Sequence, residues 1–164
     1  MSGVELVAIN QTGELPIQVS ALPQTLRDNC RATAAFYKVV GFEPPWIGYV
    51  SLSKNGAVGG GAFKGAPRDN RIEIAYYTLT EFEGRGFATA TARELVAMAK
   101  AAVPGIVVAA QTLPTPNASN ALLKKLGFTF KGSVLHPEDG EVWEWQLNAQ
   151  QAVPADGPAS RARS

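Results

Sequence analysis

Cysteine and histidine each occur once in this chain, as Cys30 and His136. A lone cysteine excludes an intramolecular disulfide and fits a reducing cytoplasm, which is the expected location. One cysteine and one histidine, far apart in sequence, make neither a zinc cluster nor a Cys–His nucleophile pair, so no metal is expected and Cys30 reads as a small helix residue. Net charge is scarce too: fifteen Lys and Arg against fourteen Asp and Glu leave +1. That balance offers no broad basic face, so no specific nucleic-acid partner is expected. No apolar run is long enough to span a bilayer, and the N-terminus lacks the basic segment and apolar core of a signal peptide. No membrane partner is therefore expected.

What is present suits an ordinary globular fold. At 164 residues the chain fits one domain, which buries roughly 70% of its unfolded surface and needs no disulfide or metal staple. Residues 4–9 form a short apolar first strand. Pro23 opens residues 24–40, where Leu26, Cys30, Ala34 and Tyr37 recur at helical spacing, and Gly41 is placed to end the helix. Residues 46–53 and 57–64 read as a hairpin around Lys54-Asn55-Gly56, because Asn-Gly accepts the positive φ of a tight turn. The Gly59-Gly60-Gly61 run predicts a bulge or close backbone packing. Residues 71–79 form the next strand, and 87–100 a helix with Ala88, Ala92, Leu95 and Ala99 on one stripe. The apolar run 106–110 predicts a strand buried on both faces. Residues 117–126 form a short helix capped by Asn117 or Ser119. Strands 128–134 and 141–147 flank the turn Glu138-Asp139-Gly140, with His136 a surface turn residue. The expected fold class is α/β, with a mixed, largely antiparallel central sheet flanked by helices. One domain is expected over 1–147, followed by a disordered tail, 148–164, rich in Ala, Pro, Gln and Arg.

The most informative stretch is Glu83-Gly84-Arg85-Gly86-Phe87-Ala88, between a strand and a helix start. First-turn N–H groups have no intrahelical partner and sit at the positive end of the helix dipole, so such a turn is a natural anion site. Three phosphate ligands compete. A mononucleotide P-loop needs Lys followed by Ser or Thr after the glycines, and Phe87-Ala88 stands there instead. A dinucleotide fingerprint needs three glycines in G-x-G-x-x-G, and this stretch supplies two. The third option is the pyrophosphate of coenzyme A.

Three blocks resemble the GNAT acyltransferase superfamily, in particular the branch similar to ribosomal-protein N-terminal acetyltransferases. The first is the glycine turn with Ile72-Glu73-Ile74-Ala75-Tyr76 before it and Thr89 after it, departing from the family's Gln or Arg only at Glu83. The second runs from Thr112-Leu113-Pro114-Thr115-Pro116-Asn117-Ala118-Ser119-Asn120 into Leu123-Lys124-Lys125-Leu126-Gly127-Phe128. The third is Glu138-Asp139-Gly140-Glu141-Val142-Trp143-Glu144-Trp145. The resemblance covers about residues 44–145 and implies a GNAT-like fold.

It also implies roles. Backbone amides of Arg85, Gly86, Phe87, Ala88 and Thr89 would hold the pyrophosphate of acetyl-CoA, the implied co-substrate, with Arg85 adding charge. Main-chain groups of Tyr77, Thr78 and Leu79 would pair with the pantetheine arm, where that strand and the next splay apart. An N–H near Leu79 would stabilise the oxyanion. Asn117 would face the cofactor and Ser119 orient it; capping is the alternative for both. The reaction implied is N-acetyl transfer to a small-molecule amine or a protein N-terminus by direct attack in a ternary complex. Glu73, mid-strand among apolar neighbours, is the candidate general base, with an ion pair to a basic neighbour as its alternative. The tyrosine many members use as general acid falls at Leu123, so Tyr76, Tyr77, water or an unaided thiolate must serve. A non-catalytic acyl-CoA-binding or regulatory module is the alternative function. The chain is expected to be a monomer or homodimer.

Overall fold

The computed structural model describes residues 3–16, 22–115 and 117–148. The expected tail lies outside the described residues beyond Asn148. In chain order the elements are β1 (Glu5–Ala8), α1 (Gln24–Val40), β2 (Gly48–Ser53), β3 (Gly56–Phe63), β4 (Arg71–Thr78), α2 (Phe87–Ala102), β5 (Val107–Thr112), α3 (Ala118–Lys125), β6 (Thr129–His136) and β7 (Gly140–Leu147). A 3-10 turn, Thr80–Phe82, precedes the glycine turn. The strands form one seven-stranded sheet in the order β1-β2-β3-β4-β5-β7-β6. Only β4 and β5 run parallel, so the mixed, mostly antiparallel α/β class expected from the sequence is what forms.

Local chemistry explains the boundaries. Helix α1 starts after Pro23 and ends at Gly41, which takes φ +100°. Trp46 and Ile47 fall short of β2 because the backbone turns there: the Ile47 N–H donates to the Pro45 carbonyl at 2.8 Å. The three glycines of β3 are explained by packing. A side chain at Gly60 would meet the Tyr77 ring at 2.9 Å, and one at Gly61 would meet Leu95 of α2 at 2.8 Å. The register shift falls beside this run, between Ser51 and Leu52 of β2.

Alternation along the strands separates two faces. On one, α2 and α3 pack: the Ser51 and Thr91 hydroxyls are 2.8 Å apart, and Thr112 of β5 donates to Asn120 of α3. Ala92, Leu95, Val96 and Ala99 of α2 are fully buried there, their small and medium side chains bringing the helix close to the sheet. On the other face α1 covers β1 and β2, with Ile9, Cys30 and Val50 in a common cluster. The Tyr37 hydroxyl donates to the Ile9 carbonyl at 2.8 Å and accepts from the Gly48 N–H at 2.9 Å, pinning α1 to two strands.

Candidate functional site

Strands β4 and β5 pair only from Arg71↔Val107 to Ile74↔Ala110. Beyond that point β4 stays with β3 through Thr78, and β5 stays with β7 through Thr112. The two parallel strands therefore part, leaving one edge of residues 75–78 without a strand partner. The polarity of that edge follows from two hydrogen bonds. The Glu73 carbonyl accepts from the Lys64 N–H at 2.9 Å, and the Leu79 N–H donates to the Val58 carbonyl at 2.8 Å. Odd-numbered residues thus turn their backbone groups toward β3. By strand alternation, Tyr76 and Thr78 turn theirs into the gap.

A cleft of about 720 Å³ opens at the gap. Tyr76, Tyr77 and Thr78 border it from β4, Phe82, Glu83, Gly84 and Gly86 from the turn, and Phe87, Ala88 and Thr89 from the first turn of α2. The α3 wall is Ala118, Ser119, Ala121, Leu122 and Lys125, one face at helical spacing. At the mouth, Gly86 is the N-cap of α2 in the left-handed region, φ +86°, with no side chain capping the helix. The first-turn N–H groups are thus open to an anion, as an uncapped helix start demands of its ligand. Gly84 has φ +78° and open space where a side chain would stand. Lys125 adds a cation to this wall, while Glu83 adds a carboxylate. An elongated ligand with a phosphate-bearing end and an amide-bearing arm fits the uncapped helix start and the open strand edge.

Of the residues singled out from the sequence, Tyr77, Thr78, Gly86, Phe87, Ala88, Thr89 and Ser119 border this cleft. Three do not. Arg85 is exposed, its guanidinium 5.6 Å from the centre of the Phe82 ring. Asn117 is the N-cap of α3, its side-chain oxygen accepting from the Asn120 N–H at 3.0 Å, as the capping alternative has it. Leu79 is buried and its N–H is taken by Val58. The nearby N–H groups that turn into the gap are those of Tyr76 and Thr78.

The two adjacent tyrosines part company in the same way. Tyr77 hydrogen-bonds Asn29 of α1, across the sheet from α3; burial pushes its phenol up, partly offset by Asn29 and reinforced by nearby Cys30. Tyr76 hydrogen-bonds Ser119 of α3, and burial pushes its phenol up to about 12 against the opposing effect of that bond. Leu123, where the family's tyrosine falls, is fully buried.

On the face opposite α2 and α3 lies a charged ladder. Glu73 sits 3.1 Å from Lys64 and 3.9 Å from Arg71, so the ion-pair alternative for Glu73 is present in the structure. Arg71 reaches Glu144 of β7 at 2.8 Å, and Gln146 donates to the same carboxylate at 2.8 Å. Burial pushes the Glu144 carboxyl up, but hydrogen bonds from Gln146 and Arg71, the Arg71 charge and Gln111 outweigh it and hold it below the usual carboxylate value. Sequence reasoning missed Glu144, Lys125 and the Thr112–Asn120–Trp145 network that anchors α3. Lys125 had a signal in the helical spacing from Ser119. His136 closes the β6–β7 turn, its Nδ1 accepting from the Glu138 and Asp139 N–H groups at 3.1 Å each.

Comparison with known proteins agrees with this geometry. A family model described as acetyltransferase (GNAT) domain matches residues 15–129. Among solved structures, RimL, a ribosomal L7/L12 alpha-N-protein acetyltransferase, is similar at 18% identity and TM-score 0.67, covering 95% of this chain and 97% of that one. Its complex with coenzyme A is similar at 15% identity and TM-score 0.65, covering 90% and 95%. The protein yncA from Salmonella typhimurium, solved with its cofactor acetyl-CoA, is similar at 20% identity and TM-score 0.58, covering 80% and 79%. At these identities the solved structures speak for the fold. A search among curated proteins finds no match. Among the described residues, no helix is long and apolar enough to cross a membrane.

Proposed function

The chain belongs to the GNAT acetyltransferase family, and from that premise we propose that it moves an acetyl group from acetyl-CoA to a primary amine by direct attack in a ternary complex. The observation that carries this reading is the parting of β4 and β5 into a cleft that ends at the uncapped start of α2. Bound there, the co-substrate supplies an activated acetyl thioester. The N–H groups from Gly86 to Thr89 and the Lys125 ammonium face its phosphates, and the Tyr76 and Thr78 backbone groups face its arm. Acceptors are small-molecule amines or protein N-termini. RimL is named for acting on a protein α-amine, and such an amine, with a pKa of about 8, is easier to deprotonate at neutral pH than a lysine side chain at about 10.4.

Glu73 is the proposed proton acceptor, acting through water from the face opposite the donor cleft. Of Glu73 and Glu144, Glu73 is the less committed: Glu144 takes hydrogen bonds from Arg71, Gln111 and Gln146. The chain is read as one domain over 1–147, working in the cytoplasm. The deciding experiment incubates the protein with acetyl-CoA and a panel of amines and N-terminal peptides, measuring free thiol and product mass. Acceptor-dependent thiol release is the expected result. Tight coenzyme A binding without it would make the chain a non-catalytic acyl-CoA-binding module.

A further inference from the structure

We propose that the Tyr76 hydroxyl donates a hydrogen bond to the sulfur that leaves the thioester, with Ser119 as its positioning partner; the inference rests on the acetyl-transfer reading above. The chain has four tyrosines, and the structure separates them by where each hydroxyl goes. Tyr37 donates to the Ile9 carbonyl and Tyr49 to the Pro45 carbonyl. Tyr77 is held by Asn29 across the sheet. Tyr76 both borders the cleft and shares a hydrogen bond with Ser119, another residue of its wall.

Position along the ligand supports the same residue. A ligand anchored by phosphate at the start of α2 extends along the open edge of β4, past Thr78 to Tyr76. Pairing with β5 resumes at Ile74, so the open edge ends there. Its reactive end therefore arrives beside Tyr76, whose backbone N–H faces the gap and whose side chain stands on the α3 side.

The chemistry balances as follows. The amine nitrogen forms the new bond to the acetyl carbon, the carbon–sulfur bond breaks, and its electron pair settles on sulfur. The proton lost by the amine goes through water to the base, and the sulfur takes a proton from solvent as the thiol departs. A phenol pushed up by burial stays neutral throughout, so it stabilises the thiolate as a hydrogen-bond donor and does not itself ionise. With the Ser119 hydroxyl as the donor in the bond they share, the phenol proton is free to point at sulfur.

The test titrates the thiol of bound coenzyme A by thiolate absorbance in the wild type, Tyr76→Phe and Ser119→Ala. A hydrogen bond to a charged group is expected to hold the bound thiol about one pKa unit lower in the wild type than in Tyr76→Phe. In turnover, Tyr76→Phe should lower kcat about tenfold to a hundredfold with KM for acetyl-CoA nearly unchanged. Ser119→Ala should move the thiol the same way by less, and it stands in if Tyr76→Phe does not fold. Identical titration of the bound thiol in wild type and variant overturns the proposal. A wild type that shows the thiol shift but no amine-dependent thiol release overturns the acetyl-transfer reading while upholding the hydrogen bond.

Discussion

Where β4 and β5 part, the two faces of the sheet are built from different materials. The donor side is mostly backbone: an uncapped helix start, two glycines with positive φ, and a strand edge left open by divergence. The opposite face is side chain: Lys64, Glu73, Arg71 and Glu144 in a ladder of ion pairs. Backbone recognition tolerates sequence change as long as the turn holds its shape. A ladder of charges depends on each member, because removing one strands its neighbour in a half-buried place. The donor side should therefore fail through conformation, and the opposite face through electrostatics.

The largest expected effect comes from breaking the backbone side. Gly86→Val puts a β-branched residue at φ +86°, where such residues are genuine outliers, and reorients the N–H groups proposed to hold the phosphates. Losing two charge-assisted hydrogen bonds predicts coenzyme A affinity about 10³-fold weaker by calorimetry, with the fold retained by circular dichroism. Undiminished affinity would remove the helix start from the donor site.

On the ladder side, Glu73→Gln keeps the shape and removes the charge. A general base acting through water predicts kcat about 10²-fold lower, with coenzyme A affinity unchanged. If kcat falls less than threefold while the melting temperature drops, Glu73 serves only the pairs with Lys64 and Arg71. Sharper still is Glu144→Gln, expected to cost about 2 kcal/mol at pH 7 in chemical denaturation by leaving Arg71 under-paired. Here the folded-state pKa is lowered, so the stabilisation is fully present above the unfolded value of about 4.3 and is lost as pH falls through the folded one. The gap between wild type and Glu144→Gln should therefore close in acid. A gap constant with pH would mean the carboxylate's charge contributes nothing.

The same contrast governs what the sequence reveals. The Asn-Gly hairpin, the glycine turn and the stripe of α2 are local, so neighbouring residues carry their signal. The Arg71–Glu144 pair joins residues 73 apart and the Thr112–Trp145 bond residues 33 apart, and nothing in either neighbourhood announces the partner. Register is the intermediate case. The sequence places an open N–H only near Leu79, and in a strand one residue decides on which edge every backbone group stands. Periodicity shows that a strand exists; only pairing with Val58 fixes which edge is free.

Asn117 offers the smallest effect and the finest division between the two kinds of contribution. From the sequence it is either a cofactor contact or a cap, and in the structure its side chain accepts from the Asn120 N–H at 3.0 Å while standing off the cleft wall. Asn117→Ala should cost about 1 kcal/mol of stability, the usual loss on deleting an N-cap. Coenzyme A affinity should stay within about twofold, because Ser119, on the wall itself, is held through Tyr76 and α3 is anchored independently by Asn120 to Thr112 and Thr115. A tenfold loss of affinity with stability intact would mean that the α3 start contributes a side chain to the donor side. The division between backbone and side-chain faces would then end at α3.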